Sequence, residues 1–111
     1  MMLSFVTHWG DVARKVHALA KEKGWWDEER NDAEMIALMH SELSEALEGM
    51  RHGNPPSEKI PDFTAVEEEL ADVVIRLMDF CEVRGHRIEY AILAKHEFNK
   101  TRPHKHGGKK F

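Results

Sequence analysis

At 111 residues the chain is too short for two independent cores, so a single domain is expected. Hydrophobic residues at 41% and charged residues at 32%, with 7 Gly and 4 Pro, exclude collagenous and disordered chains and fit a charge-rich helical globule. A net charge of -4 argues against a nucleic-acid polymer as partner, and the lone Cys81 excludes an intramolecular disulfide or a Cys-rich zinc site and suits a reducing cytoplasm.

Apolar residues Val6, Trp9, Val12, Ala13, Val16, Leu19 and Ala20 recur at helical steps, with Ser4 as N-cap and Gly24 as stop, and predict a first helix. A second stripe, Ile36, Met39, Leu43, Ala46, Leu47 and Met50, starts after Asn31 or Asp32 and ends at the Gly53-Asn54-Pro55-Pro56 breaker. The third helix carries Phe63, Val66, Leu70, Val73, Val74, Leu77 and Cys81, opening after Pro61-Asp62 and closing near Gly85. A shorter fourth carries Ile88, Ala91, Ile92 and Phe98 and stops by Pro103. No segment alternates like a strand. Short connections favour antiparallel neighbours, so the expected fold is all-α, a four-helix antiparallel bundle over residues 1–103 with a basic tail at 104–111. Apolar runs are short and broken by charge, and the first ten residues lack the pattern of a signal peptide, so no membrane association is expected.

Charge is unevenly placed. Eight acids and one base lie between Asp27 and Met50, whereas six bases and one acid follow from Lys95 onward, a distribution suited to handling cations and phosphates together. Within the acidic half, Glu42-Leu43-Ser44-Glu45 on helix two matches Glu69-Leu70-Ala71-Asp72 on helix three. Acids three apart on a helix differ by about 60° in azimuth and roughly 4.5 Å in height, so each pair can converge on one cation. If helices two and three form an antiparallel hairpin, the two pairs fall on one side and at one level, because both lie equally far from the connection. One such pair alone is usually a solvated face. Four converging carboxylates would repel one another unless a cation joined them. Oxygen-only ligands select a hard ion, Mg2+ first and Mn2+ second. A di-iron bundle is disfavoured because no Glu is followed three residues later by His.

These paired Glu-x-x-Glu and Glu-x-x-Asp motifs, with twenty-three residues between them, resemble the signature of the MazG-like all-α nucleoside triphosphate pyrophosphohydrolases. The resemblance spans the chain from helix one to Gly108. It implies that Glu42, Glu45, Glu69 and Asp72 bind Mg2+ and that water attacks the α-phosphorus of a (d)NTP, releasing pyrophosphate and a monophosphate. The role would be nucleotide-pool sanitation. It also implies a homodimer or homotetramer built from paired hairpins. Glu45 is the candidate for taking the proton from water. Two other readings stand beside it: a phosphoribosyl-ATP pyrophosphatase-like enzyme, and a non-catalytic helical interaction module.

Around the acids, Lys95, Asn99 and Arg102 fall on one polar stripe of helix four and look like the family's phosphate-side segment; Arg102 could grip a phosphate bidentately. His104-x-His106 in the tail is more often free than a chelate. Trp25 and Trp26 suit either stacking on a nucleobase or lids over the core between helices one and two. His8, His17 and His40 are expected to be structural or interfacial. Asp79 is expected to be a salt-bridge partner of Arg76 or solvated, Cys81 a buried small hydrophobe, and Glu67 and Glu68 a solvated helix start.

Overall fold

The computed structural model describes residues 2–103; the tail at 104–111, with His104 and His106, lies outside them. The expected all-α fold is present as four helices, α1 (Met2–Glu22), α2 (Asp32–Arg51), α3 (Ala65–Arg84) and α4 (Ile88–Asn99). Among the described residues the extended backbone pairs only in an isolated antiparallel bridge between Pro56 and Thr64. None of the helices is long and apolar enough to cross a membrane.

Local chemistry sets the helix ends. The Asn31 side chain accepts a hydrogen bond from the Glu34 N–H at 3.2 Å, and Asp32 and Glu34 complement the positive end of the α2 dipole. At α3, Thr64 Oγ1 accepts from the Glu67 N–H while the Glu67 carboxylate accepts from the Thr64 N–H, a reciprocal capping box. That helix therefore starts later than the Pro61-Asp62 pair suggests, because Ile60–Phe63 is spent on a turn closed by Phe63 N–H to Ile60 O at 2.9 Å. Helix α1 begins before Ser4, so Ser4 lies inside its first turn and does not cap it. Gly85 ends α3 in the left-handed region at φ 71°, where a Cβ would be strained.

The connection between α2 and α3 is pinned along its length. Asn54 Oδ1 accepts from the Val66 N–H at 3.0 Å, and the Ala65 N–H donates to Pro55 O at 2.8 Å. Buried Ser57 accepts the Lys59 and Ile60 N–H groups on Oγ and donates its hydroxyl to Glu68. These bonds fix the hairpin and carry Lys59 and Glu68 to one place.

Antiparallel packing of α2 on α3 follows from contacts that run in opposite senses along the two helices. Asp32 meets Arg84, Glu42 meets Arg76, and Gly49 meets Ala65 and Val66. A Cβ built on Gly49 would lie 3.4 Å from the Ala65 Cβ, ordinary contact, so Gly or Ala fits this crossing and a larger side chain would hold the helices apart. Helix α1 packs on α3, and α4 packs on α1. The centre of the core is Met35, Phe80 and Cys81, covered by Trp26, Met39, Leu77 and Ile88. Burial pushes the Cys81 thiol pKa up, and the charge of Glu89 adds to it, which suits a packing role.

The hairpin seam is rotated from the stripe expected on α2. Its inward face runs through Met35, Leu38, Met39, Glu42, Ala46 and Gly49, whereas Leu43 is 46% and Met50 61% exposed, together with Ile36 and Leu47. On α3 Leu70 and Val74 are likewise exposed, and Phe63 before it is 52% exposed. Small Ala46 and Gly49 let α3 approach closely, so the larger apolar residues beside them are left outside. Among the described residues no large side chain is fully buried, and the radius of gyration of 16.4 Å exceeds the about 13 Å of a compact chain of this length.

Candidate metal centre

Rotation of the seam places Glu42 inside it, facing α3. Glu42, Glu69 and Asp72 each offer a carboxylate oxygen within 4.8 Å of the others, all three half-buried. Three of the four acids singled out in the sequence are thus brought together from two helices. Glu45 is exposed and lies outside this group, one turn along α2 from Glu42. With the seam running through Glu42 rather than Leu43, Glu45 is turned outward. Glu68, expected to be a solvated helix start, sits instead at the edge of the site with its side chain 15% exposed, held by Ser57 and facing Lys59 Nζ at 3.9 Å.

The protonation of these groups reflects burial first and crowding second. Burial pushes Glu69 up from 4.5 to about 7; a hydrogen bond to Glu42 and the charges of Glu42, Glu68 and Asp72 push the same way. Burial also raises Asp72, with the charges of Glu42 and Glu68, against the lowering effect of Lys59 and Arg76. Burial alone raises such a carboxyl, and the neighbouring anions add a repulsion that a proton or a cation relieves. The donors are all carboxylate oxygens, which fits a hard cation.

Two cations border the acids. The Arg76 Nε donates to Glu42 Oε1 at 3.0 Å, and its Nη2 lies 3.0 Å from the same oxygen. Lys59 reaches the site from the connection. Neither is expected at the acids from the sequence, where Arg76 reads as a partner of Asp79, although Arg76 stands one turn beyond Asp72 on the same helix, a spacing that puts the two on one face. Lys95, Asn99 and Arg102 lie elsewhere. Lys95 and Asn99 border an open groove with Ile88, Ala91, Ile92 and His96; Lys95 Nζ sits 4.6 Å from the Phe98 ring centroid, and Arg102 is exposed beyond the last turn of α4.

The tryptophans divide. Trp26 is a core lid: its Nε1–H donates to the Asp79 carboxylate at 3.0 Å, and Arg30 and Arg84 lie over its ring. Trp25 is 44% exposed, with the guanidinium of Arg76, which binds Glu42, 5.8 Å from its ring centroid. Behind it, Val16, Leu19, Ala20, Lys23, Trp25 and Ile75 enclose an apolar cavity of about 140 Å3. Asp79 is 3% exposed and binds His17 Nδ1 at 2.7 Å as well as Trp26, joining α1 and the segment after it to α3; the expected bridge to Arg76 is replaced by these two donors. His17 is thus structural, and His40 is exposed.

No family model matches the chain, and neither a curated protein nor a solved structure matches it.

Proposed function

We propose that the chain is a Mg2+-dependent nucleoside triphosphate pyrophosphohydrolase, converting a (d)NTP and water to the monophosphate and pyrophosphate, with a role in clearing the nucleotide pool. The observation that carries this reading is the convergence of Glu42, Glu69 and Asp72 from two antiparallel helices. Its specific reaction rests on the motif resemblance noted above. Mg2+, or Mn2+ in its place, would supply charge neutralisation of phosphate oxygens and activation of water. Glu42, Glu69 and Asp72 hold the cation. The resemblance adds Glu45 as fourth ligand and as the carboxylate that takes the proton from water, roles for which its outward side chain, one turn from Glu42, would have to swing toward the cation.

Trp25, 44% exposed and joined to Glu42 through Arg76, is assigned to base stacking, whereas Trp26 acts through the fold. The exposed apolar face of the hairpin, with Leu43, Leu47, Met50, Phe63 and Leu70, is assigned to a second copy of the chain. In such an assembly Lys95, Asn99 and Arg102 serve a phosphate at the site of a neighbouring copy. The working compartment is the cytoplasm.

The experiment is pyrophosphate release from the eight common ribo- and deoxyribonucleoside triphosphates, dUTP and oxidised or methylated bases, with Mg2+, Mn2+ and EDTA arms. Metal-dependent release from any of them is the expected result. Silence from a folded, metal-loaded protein would refute the proposal, with phosphoribosyl-ATP as the next substrate and the interaction module as the reading after that.

A further inference from the structure

Arg76 links the acids to Trp25. Its Nε and Nη2 both address a single oxygen of Glu42 at 3.0 Å, its guanidinium lies 5.8 Å from the Trp25 ring centroid, and the side chain is still 27% exposed. A guanidinium has five N–H donors in a fixed plane, and spending two nitrogens on one carboxylate oxygen leaves donors for an incoming anion. Its position decides what that anion is. A cation at Glu42, Glu69 and Asp72 takes over the neutralisation of Glu42 that Arg76 supplies in its absence, and a polyphosphate drawn to that cation arrives against the guanidinium.

We propose that Arg76 is an exchanging residue: it neutralises Glu42 while the metal is away, competes with the metal for that carboxylate, and grips the polyphosphate of the substrate once the metal has displaced it. This inference rests on the metal-centre reading above. It assigns the phosphate grip within one chain to α3, ahead of the Lys95, Asn99 and Arg102 stripe on α4. The exchange makes the metal and the phosphate interdependent, since the donors freed by one are those used by the other.

The two roles give opposite signs when the charge is removed. A unit positive charge roughly 6 Å from a divalent ion weakens its binding about tenfold even at water-like dielectric. Arg76→Met is therefore expected to bind Mn2+ about tenfold more tightly than the wild type at low ionic strength, the ratio shrinking as salt is added. The same variant, loaded with Mn2+, is expected to bind inorganic tripolyphosphate about tenfold more weakly. Arg76→Lys keeps the charge and loses the fork, so its Mn2+ affinity should stay within about twofold while tripolyphosphate binding still falls.

Both are measured on the full chain by titration calorimetry, with Mn2+ confirmed by electron paramagnetic resonance and folding by circular dichroism. If Arg76→Met does not fold, Arg76→Gln replaces it, and the wild-type Arg76 Nε–H resonance, which should shift on Mg2+ addition, reads the exchange directly. Unchanged or weaker Mn2+ binding in the charge-removed variant would overturn the competition, because a residue that only orients Glu42 gives that sign. Unchanged tripolyphosphate binding would overturn the grip. Both variant effects without any nucleotide hydrolysis by the wild type would leave Arg76 as assigned and refute the pyrophosphohydrolase reading; no Mn2+ binding by the wild type would refute both.

Discussion

Replacing Glu69 by glutamine removes the cost of ionising a half-buried carboxyl among other acids. The side chain keeps its shape and stays neutral at every pH, as the protonated carboxyl is. In the unfolded chain Glu69 loses its proton near 4.5, and in the metal-free fold near 7. Between those values the native state binds the extra proton, so stability falls as pH rises through the window and is lowest above it. A shift from 4.5 to about 7 sets a ceiling of about 3 kcal/mol on the effect, and solvent screening at this half-exposed site reduces it to roughly 1 kcal/mol. For a domain of this size that is about 5 °C in Tm. Wild type and Glu69→Gln should therefore melt together only below about pH 4 in EDTA, and the variant should melt higher by about 5 °C near pH 8. Thermal unfolding by circular dichroism across that range is the assay. A difference between the two proteins that stays flat with pH would refute the raised pKa of Glu69 and with it the burial and crowding that cause it. Raised Asp72 acts with the same sign in both proteins, so the comparison removes most of its effect.

Other consequences follow from the same contacts. Asp72→Asn and Glu42→Gln should lower turnover at least about a hundredfold with helix content intact, read by pyrophosphate release and circular dichroism, because each deletes a ligand charge and little volume. Asp79→Ala strips the acceptor from Trp26 and His17 at a buried position and should cost about 3 kcal/mol in urea unfolding, whereas a loss below about 0.5 kcal/mol would show that the network contributes little. Leu43→Asp combined with Leu70→Asp should convert the expected oligomer to a monomer in sedimentation, since both side chains lie on the exposed apolar face.

The helices were legible because their apolar spacing and their breakers agree: Gly53 to Pro56, Gly85 and Pro103 all interrupt the pattern where the helices end or shortly after. The matched acid pairs likewise predicted that Glu42 would meet Glu69 and Asp72, because helical spacing and equal distance from the connection fix both side and height. What helical spacing did not settle was rotation about the axis. Leu43 and Ala46 are both apolar, and close approach at Ala46 and Gly49 turned the seam toward Glu42, which moved Glu45 outward and the leucines into the open. Glu68 and Lys59 were hidden for another reason. Their placement depends on buried Ser57 and its turn, a contact over eleven residues that no periodic pattern encodes. Asp79 shows the same limit, because its partners come from α1 and the segment after it.

The central claim concerns where water attacks, and hydrolysis of the best substrate in 18O-labelled water with Mg2+ tests it most directly. Mass spectrometry should find one 18O in the nucleoside monophosphate and none in the pyrophosphate, with both products absent in EDTA. Label in inorganic phosphate or pyrophosphate, or hydrolysis unaffected by EDTA, would contradict a metal-dependent attack on the α-phosphorus.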